Sequence, residues 1–141
     1  MTGWAMDASL ALAWALPDER VDAADAFFRR MAVDDVRVPA VFWYEIANAI
    51  AVSARRRRIA LADARRLLDV FSRLPVKTDA QIGQPSLVPL GATARAHDLS
   101  SYDAAYLELA ARRGLGLATL DDRLAAAAKR AGIEVFRPGA R

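Results

Sequence analysis

Apolar residues recur along this chain at two spacings, and the alternation between them lays out its elements. Trp4-Ala5-Met6 is a short apolar stretch that predicts a first strand. Leu10 and Trp14 then stand four apart, which predicts a brief helix stopped near Pro17. Over residues 19–32, Val21, Ala24, Phe27, Phe28 and Met31 recur at helical spacing, and Val36-Arg37-Val38 ahead of Pro39 predicts a second strand. Phe42, Ile46, Ala49 and Ile50 open a helix that runs into Arg55, Arg56, Arg57 and Arg58. Leu61, Ala64, Leu67, Leu68 and Phe71 form another 3.6-period stripe, and Val76-Lys77-Thr78 predicts a third strand. Segment 81–91 is irregular, broken at Gly83, Pro85, Pro89 and Gly91, and a helix across it would be kinked by Pro89. Helical spacing resumes ahead of His97.

Ser100-Ser101 predicts the start of a helix through Ala104, Leu107 and Ala111, closed by Gly114. Residues 115–119 read as a buried strand, 122–131 as an alanine-rich helix ended by Gly132, and 133–136 as a last strand. No repeat, low-complexity tract or linker divides the chain, so residues 1–141 are expected to form a single domain. Short strands alternating with longer helices predict an α/β fold. Its short, mostly parallel central sheet is expected to be covered by helices on both faces.

Composition narrows the chemistry. At 141 residues the chain can bury a core without covalent staples. The absence of cysteine excludes a disulfide scaffold, a thiolate zinc site, an iron–sulfur cluster and thiol catalysis, and the single histidine, His97, excludes a multi-histidine metal centre. A charged site here is built from carboxylates, arginines and hydroxyls. Residues 1–50 carry four basic against eight acidic side chains, whereas residues 51–141 carry sixteen against nine. An acidic front and a basic remainder suit a metal site beside a phosphate-binding surface. No apolar run reaches the length of a membrane span. The apolar run 8–16 lacks a basic leader and is flanked by Asp7 and by Pro17-Asp18-Glu19, so it reads as folded structure and the protein as cytoplasmic, with no membrane partner.

Four acids stand out by position. Asp7 follows the first strand and Asp121 the fourth, while Glu45 and Asp103 lie near the starts of helices. In an open α/β sheet the strand ends and the helix starts above them share one edge, where ligands bind. Each acid also has a structural reading. Asp7 and Asp121 can cap the helices after them, Ser100 to Asp103 resembles a capping box, and Glu45 suits a helix dipole. Periodicity alone does not choose between the two. If the acids converge, like charges require a cation between them, and an all-oxygen donor set favours Mg2+ or Mn2+ over zinc.

These residues carry a resemblance. Met6-Asp7-Ala8-Ser9 with Ala13-Trp14 and Pro17-Asp18-Glu19 resembles the opening of PIN-domain proteins, specifically the VapC-type toxin ribonucleases. Trp43, Glu45, Ala47 and Asn48 are similar to their second acidic motif, the run from Ser101 through Asp103 to Ala110 to their third, and Ala118-Thr119-Leu120-Asp121 with Leu124 to their fourth. All four occur in family order across about residues 4–136. The resemblance implies a three-layer α/β/α PIN-like fold and a Mg2+- or Mn2+-dependent endoribonuclease toxin. It would cut single-stranded or looped RNA with a metal-activated water and leave a 5′-phosphate. Asp7, Glu45, Asp103 and Asp121 carry over as the catalytic, metal-binding acids, with Ser9, Asn48 and Thr119 in support. It further implies a small VapB-type antitoxin that blocks the groove, and a homodimer.

Two other readings compete, one from another class and one a second enzyme. One is a catalytically inactive PIN-fold module that only binds RNA or an antitoxin. The other is a phosphotransfer domain with an aspartate nucleophile, which the scarcity of lysine, Lys77 and Lys129 only, counts against. The run of arginines 55–58 reads first as a solvated helix end favoured by the dipole, with RNA-phosphate or antitoxin contact as the alternative. His97 is expected to be a C-cap or surface group, and Glu108 a helix-surface or interface group. Trp14, Trp43, Phe27, Phe28 and Tyr106 are expected in the core, with Tyr102 nearer any substrate.

Overall fold

The short apolar stretch at the start of the chain forms the interior of a four-stranded sheet. The computed structural model describes residues 3–19 and 21–137. Strand β1 (Gly3–Met6) pairs on one side with β2 (Asp35–Val38) and on the other with β4 (Gly116–Ala118), while β3 (Lys77–Thr78) adds to β2. The order is β3-β2-β1-β4, and every pairing is parallel. Trp4, Ala5 and Met6 are all buried, although successive residues of a strand face opposite ways. The centre of the sheet is therefore covered on both faces, as a parallel sheet requires.

Seven α-helices among the described residues supply that cover: α1 (Ala8–Ala15), α2 (Asp22–Arg30), α3 (Val41–Arg55), α4 (Leu61–Ser72), α5 (Leu87–His97), α6 (Ser101–Arg113) and α7 (Asp122–Arg130). The expected α/β fold with helices on both faces is thus the observed one. Run 8–16 is folded helix α1, and no helix among the described residues is long and apolar enough to cross a membrane. The stripes read from the sequence supply the core, with Phe27, Phe42, Ile46, Ile50 and Phe71 buried. Trp14 stacks on Phe28 at 4.0 Å, and Trp43 donates its indole N–H to the Thr78 hydroxyl, tying α3 to β3. Tyr106 is fully buried and Tyr102 is exposed.

The structure departs from the sequence reading chiefly at four places, besides the loss of Val76 from the third strand. The helix expected from residue 19 begins at Asp22 with Val21 extended before it, and Pro17, Asp18 and Glu19 form a turn. Arg20 lies outside the described residues. Segment 81–91 is more regular than its glycines and prolines suggest. A 3-10 turn, Gln84–Ser86, leads into α5, and Pro89 sits in the helix's first turn, where a backbone N–H has no intrahelical partner to lose. The last strand, expected at 133–136, shrinks to a single parallel bridge of Val135 with Leu117. The fourth strand spans 116–118 rather than 115–119.

Close packing explains the glycine in β4. Gly116 lies in register with Trp4, and a Cβ there would sit 2.5 Å from the indole Cζ3 and 3.1 Å from the Glu134 carbonyl. The indole crosses β4 at this point and donates its N–H to Asp34 at 3.0 Å.

Candidate active site

Where β1 ends, the chain turns directly into α1, and Asp7 occupies the junction. Its extended backbone is that of an N-cap residue, and its N–H bonds the Ala118 carbonyl at 2.9 Å, prolonging the pairing with β4. The side chain, however, makes no cap bond. Its Oδ2 accepts the Ser9 hydroxyl at 2.6 Å and the Thr119 hydroxyl at 2.7 Å, and the residue is only 5% exposed. Ser9 Oγ in turn accepts the Leu120 N–H at 3.1 Å, and Thr119 Oγ1 accepts the Asp121 N–H at 3.0 Å. Two hydroxyls thereby join the ends of β1 and β4.

The other three acids reach the same place from different elements. Asp121 caps α7, its Oδ1 accepting the N–H groups of Arg123 at 2.9 Å and Leu124 at 3.1 Å. Asp103 lies in the first turn of α6, where Ser100 Oγ accepts its N–H at 3.1 Å. Glu45 stands in the second turn of α3, and the buried Tyr106 hydroxyl donates to its Oε1. Asp7, Ser9, Glu45, Asn48, Asp103 and Asp121 all line one open cleft of about 390 Å³. Thr119 stands behind it, bonded to Asp7. Asp122, next to Asp121, is not among the lining residues.

Glu19, which the sequence reading passed over as a site residue, also lines the cleft. It sits on the turn after α1, and a turn has no periodicity to flag it. The available signal was the acidic pair after Pro17. Glu108, by contrast, forms an ion pair with Arg112 on its own helix at 2.9 Å. His97 closes α5, followed by Asp98 in a left-handed conformation.

Electrostatics ties the acids together. Burial raises the Asp7 carboxyl above its ordinary range, and the Asp103 and Asp121 charges raise it further against the two hydroxyl bonds. Glu45 is raised by burial and by Asp7 and Asp103, opposed by the Tyr106 bond, and Asp103 is raised by burial and by Asp121. No three of His, Cys, Asp and Glu among the described residues form a ready metal-holding group. The donors are nonetheless all hard oxygens that repel one another across a roomy cleft. That set fits an ion bound through one or two carboxylates that keeps several waters, the habit of Mg2+, rather than an all-protein cage.

A model of the PIN domain family matches residues 5–130. The VapC ribonuclease Mb0985 of Mycobacterium bovis is 35% identical over 119 residues, covering 84% of this chain and 86% of that protein. Ribonuclease VapC9 of Mycobacterium tuberculosis matches to the same extent. Among solved structures, PAE2754 from Pyrobaculum aerophilum has a TM-score of 0.68 at 29% identity, covering 95% of this chain and 83% of that one. VapBC2 from Rickettsia felis, bound to a DNA fragment from its promoter, has a TM-score of 0.64 at 13% identity and covers 96% of this chain and 98% of that one, a likeness of fold alone. The chain belongs to the PIN-domain family. Within that family it is similar to the VapC-type proteins.

Proposed function

We propose that this protein is a Mg2+- or Mn2+-dependent endoribonuclease, the toxin of a toxin–antitoxin pair, with Asp7, Glu45, Asp103 and Asp121 as its catalytic, metal-binding acids. The observation that carries the reading is the arrival of those four carboxylates, from four separate elements, in one cleft. Relatives named as ribonucleases at 35% identity support it. A VapB-type antitoxin covering the cleft would deny it RNA, and a homodimer in the cytoplasm is the proposed resting form.

A divalent ion in the cleft supplies activation of water and offsets charge on the phosphodiester. The chain's own residues hold and orient the donors. Ser9 and Thr119 aim Asp7, Tyr106 steers Glu45, and the first turn of α7 holds Asp121. Asn48 offers an amide to the substrate one helical turn beyond Glu45. Water adds to phosphorus, the P–O3′ bond breaks, and the products are a 3′-hydroxyl and a 5′-phosphate.

The test uses purified, antitoxin-free protein on mixed RNA with Mn2+. Asp7→Asn and Asp103→Asn are each expected to lower the cleavage rate by about 100-fold or more, beyond the loss typical of an outer-shell change. A calorimetric Mn2+ titration should weaken in parallel. Undiminished cleavage in both variants would overturn the site assignment, and RNA binding without any cleavage by the wild type would favour the inactive module.

A further inference from the structure

We propose that the arginines closing α3 form a phosphate-holding site that grips the RNA strand a few nucleotides from the bond to be cut. This rests on the ribonuclease reading and extends it to substrate positioning. The cleft creates the need. Among the described residues its lining includes Asp7, Glu19, Glu45, Asp103 and Asp121 but neither Arg nor Lys. A divalent ion offsets only part of five carboxylates, so the cleft stays unfavourable for a polyanion and attraction for the rest of the strand comes from beyond its rim.

Helix α3 links the two regions. At 100° per residue, Glu45, Asn48, Val52 and the pair Arg55 and Arg56 follow one another along a single face. At 1.5 Å per residue, Arg55 lies about 15 Å along the axis from Glu45. A second connection runs outside the helix. Arg58 pairs with Asp18 at 3.7 Å, and Asp18 adjoins the cleft-lining Glu19. All four arginines are exposed, and among the described residues Arg55, Arg56 and Arg57 pair with no carboxylate.

The backbone supplies a further observation. Helix α3 ends in a Schellman turn, with the Arg58 N–H bonded to the Ser53 carbonyl at 2.9 Å and the Arg57 N–H to Ala54 at 3.1 Å. The left-handed residue of that turn is Arg57, with φ of +58°. Glycine takes the same left-handed role at Gly114 and Gly132, after α6 and α7, and Asp98, whose short polar side chain tolerates it, takes it after α5. An L side chain is strained there, and four adjacent positive charges repel one another. The helix dipole accounts for a cation in the last turn, but not for arginine in place of glycine beyond it. Binding a chain of phosphates accounts for both.

Arg57→Gly and the double variant Arg55→Gln/Arg56→Gln test the site against a purely structural helix end. Arg57→Gly should fold with a Tm raised by a few degrees. On single-stranded RNA of about 16 nucleotides near physiological salt, KM should rise about threefold in the single variant and about tenfold in the double, with kcat unchanged. On RNA of about 4 nucleotides KM should move less than about twofold. The slope of log affinity against log salt should become shallower by about 0.7 for each arginine removed. Wild-type KM and slope in both variants would overturn the proposal. So would an equal KM rise on short and long RNA, or weakened binding of polyglutamate with RNA binding intact, which assigns the arginines to a protein partner. Wild-type protein that binds long RNA with this salt slope but cuts none sinks the ribonuclease reading and leaves this site standing. Variants that match a cutting wild type sink this site alone.

Discussion

On the proposed reading, Asp7 sets function against stability within one side chain. Burial makes its ionised form unfavourable in the folded state, and the neighbouring Asp103 and Asp121 charges add to the cost. An amide in its place keeps the shape and removes the charge, so Asp7→Asn should melt higher than wild type in metal-free buffer and lose its Tm response to Mn2+. Differential scanning fluorimetry with and without the ion reads both effects. Tyr106 tests orientation. Burial, the Glu45 bond and the nearby acids push its phenol far above its ordinary range, so it remains a neutral donor to Glu45. Tyr106→Phe should cost about 1–2 kcal/mol in a urea melt and reduce kcat about tenfold while the fold persists. Of the site, Asp7 and Asp121 were legible because each follows a strand, and Asp103 because Ser100 announces a helix start. The part of Tyr106 was hidden. An apolar-stripe position says that a ring is buried, but not that its hydroxyl reaches a carboxylate 61 residues away in sequence.

Elements were legible where one face repeats. The helices bearing Phe27, Ile46 and Phe71 announced themselves, whereas α5 has no fully buried residue and so left no apolar stripe to read. Pro89 pointed to a break because its effect depends on whether it falls in the first turn or the middle, which the sequence did not reveal. Residues 133–136 look like a strand by composition, but they pair only at one bridge, where the Glu134 carbonyl and the Phe136 N–H flank Val135 and bond Leu117. Gly116 carries a prediction at this scale. With the Trp4 ring crossing the strand and little room to yield, Gly116→Ala should cost about 1–3 kcal/mol through overpacking, seen as a lower urea midpoint. Far-UV circular dichroism should stay native below the transition, because the strain is confined to the contact of β1 with β4.

Across the whole molecule, one ion network ties the far edge of the sheet to α6. Arg112 donates to Asp79, just beyond β3, and to Glu108, while Arg113 stands 3.6 Å from Asp79. Burial opposes ionisation of Asp79, but the Arg112 hydrogen bonds and charge outweigh it and hold the carboxyl below its ordinary value of 3.8. A depressed folded-state value means that this stabilisation is fully present above the unfolded pKa and is lost as pH falls from there through the folded value. Asp79→Asn should therefore lower stability by about 1–3 kcal/mol at pH 7. It should differ much less from wild type near the acid end of a pH series of thermal melts. The sheet order has a temporal consequence as well. The central strand is made first, yet Asp7 meets Thr119 only across 112 residues. A chain emerging from the ribosome at about 5–20 residues per second leaves β1 waiting for β4 while all the residues between them are made. The acidic cleft, which needs Asp7 and Asp121 together, is therefore assembled only after the segment that carries Asp121 has emerged.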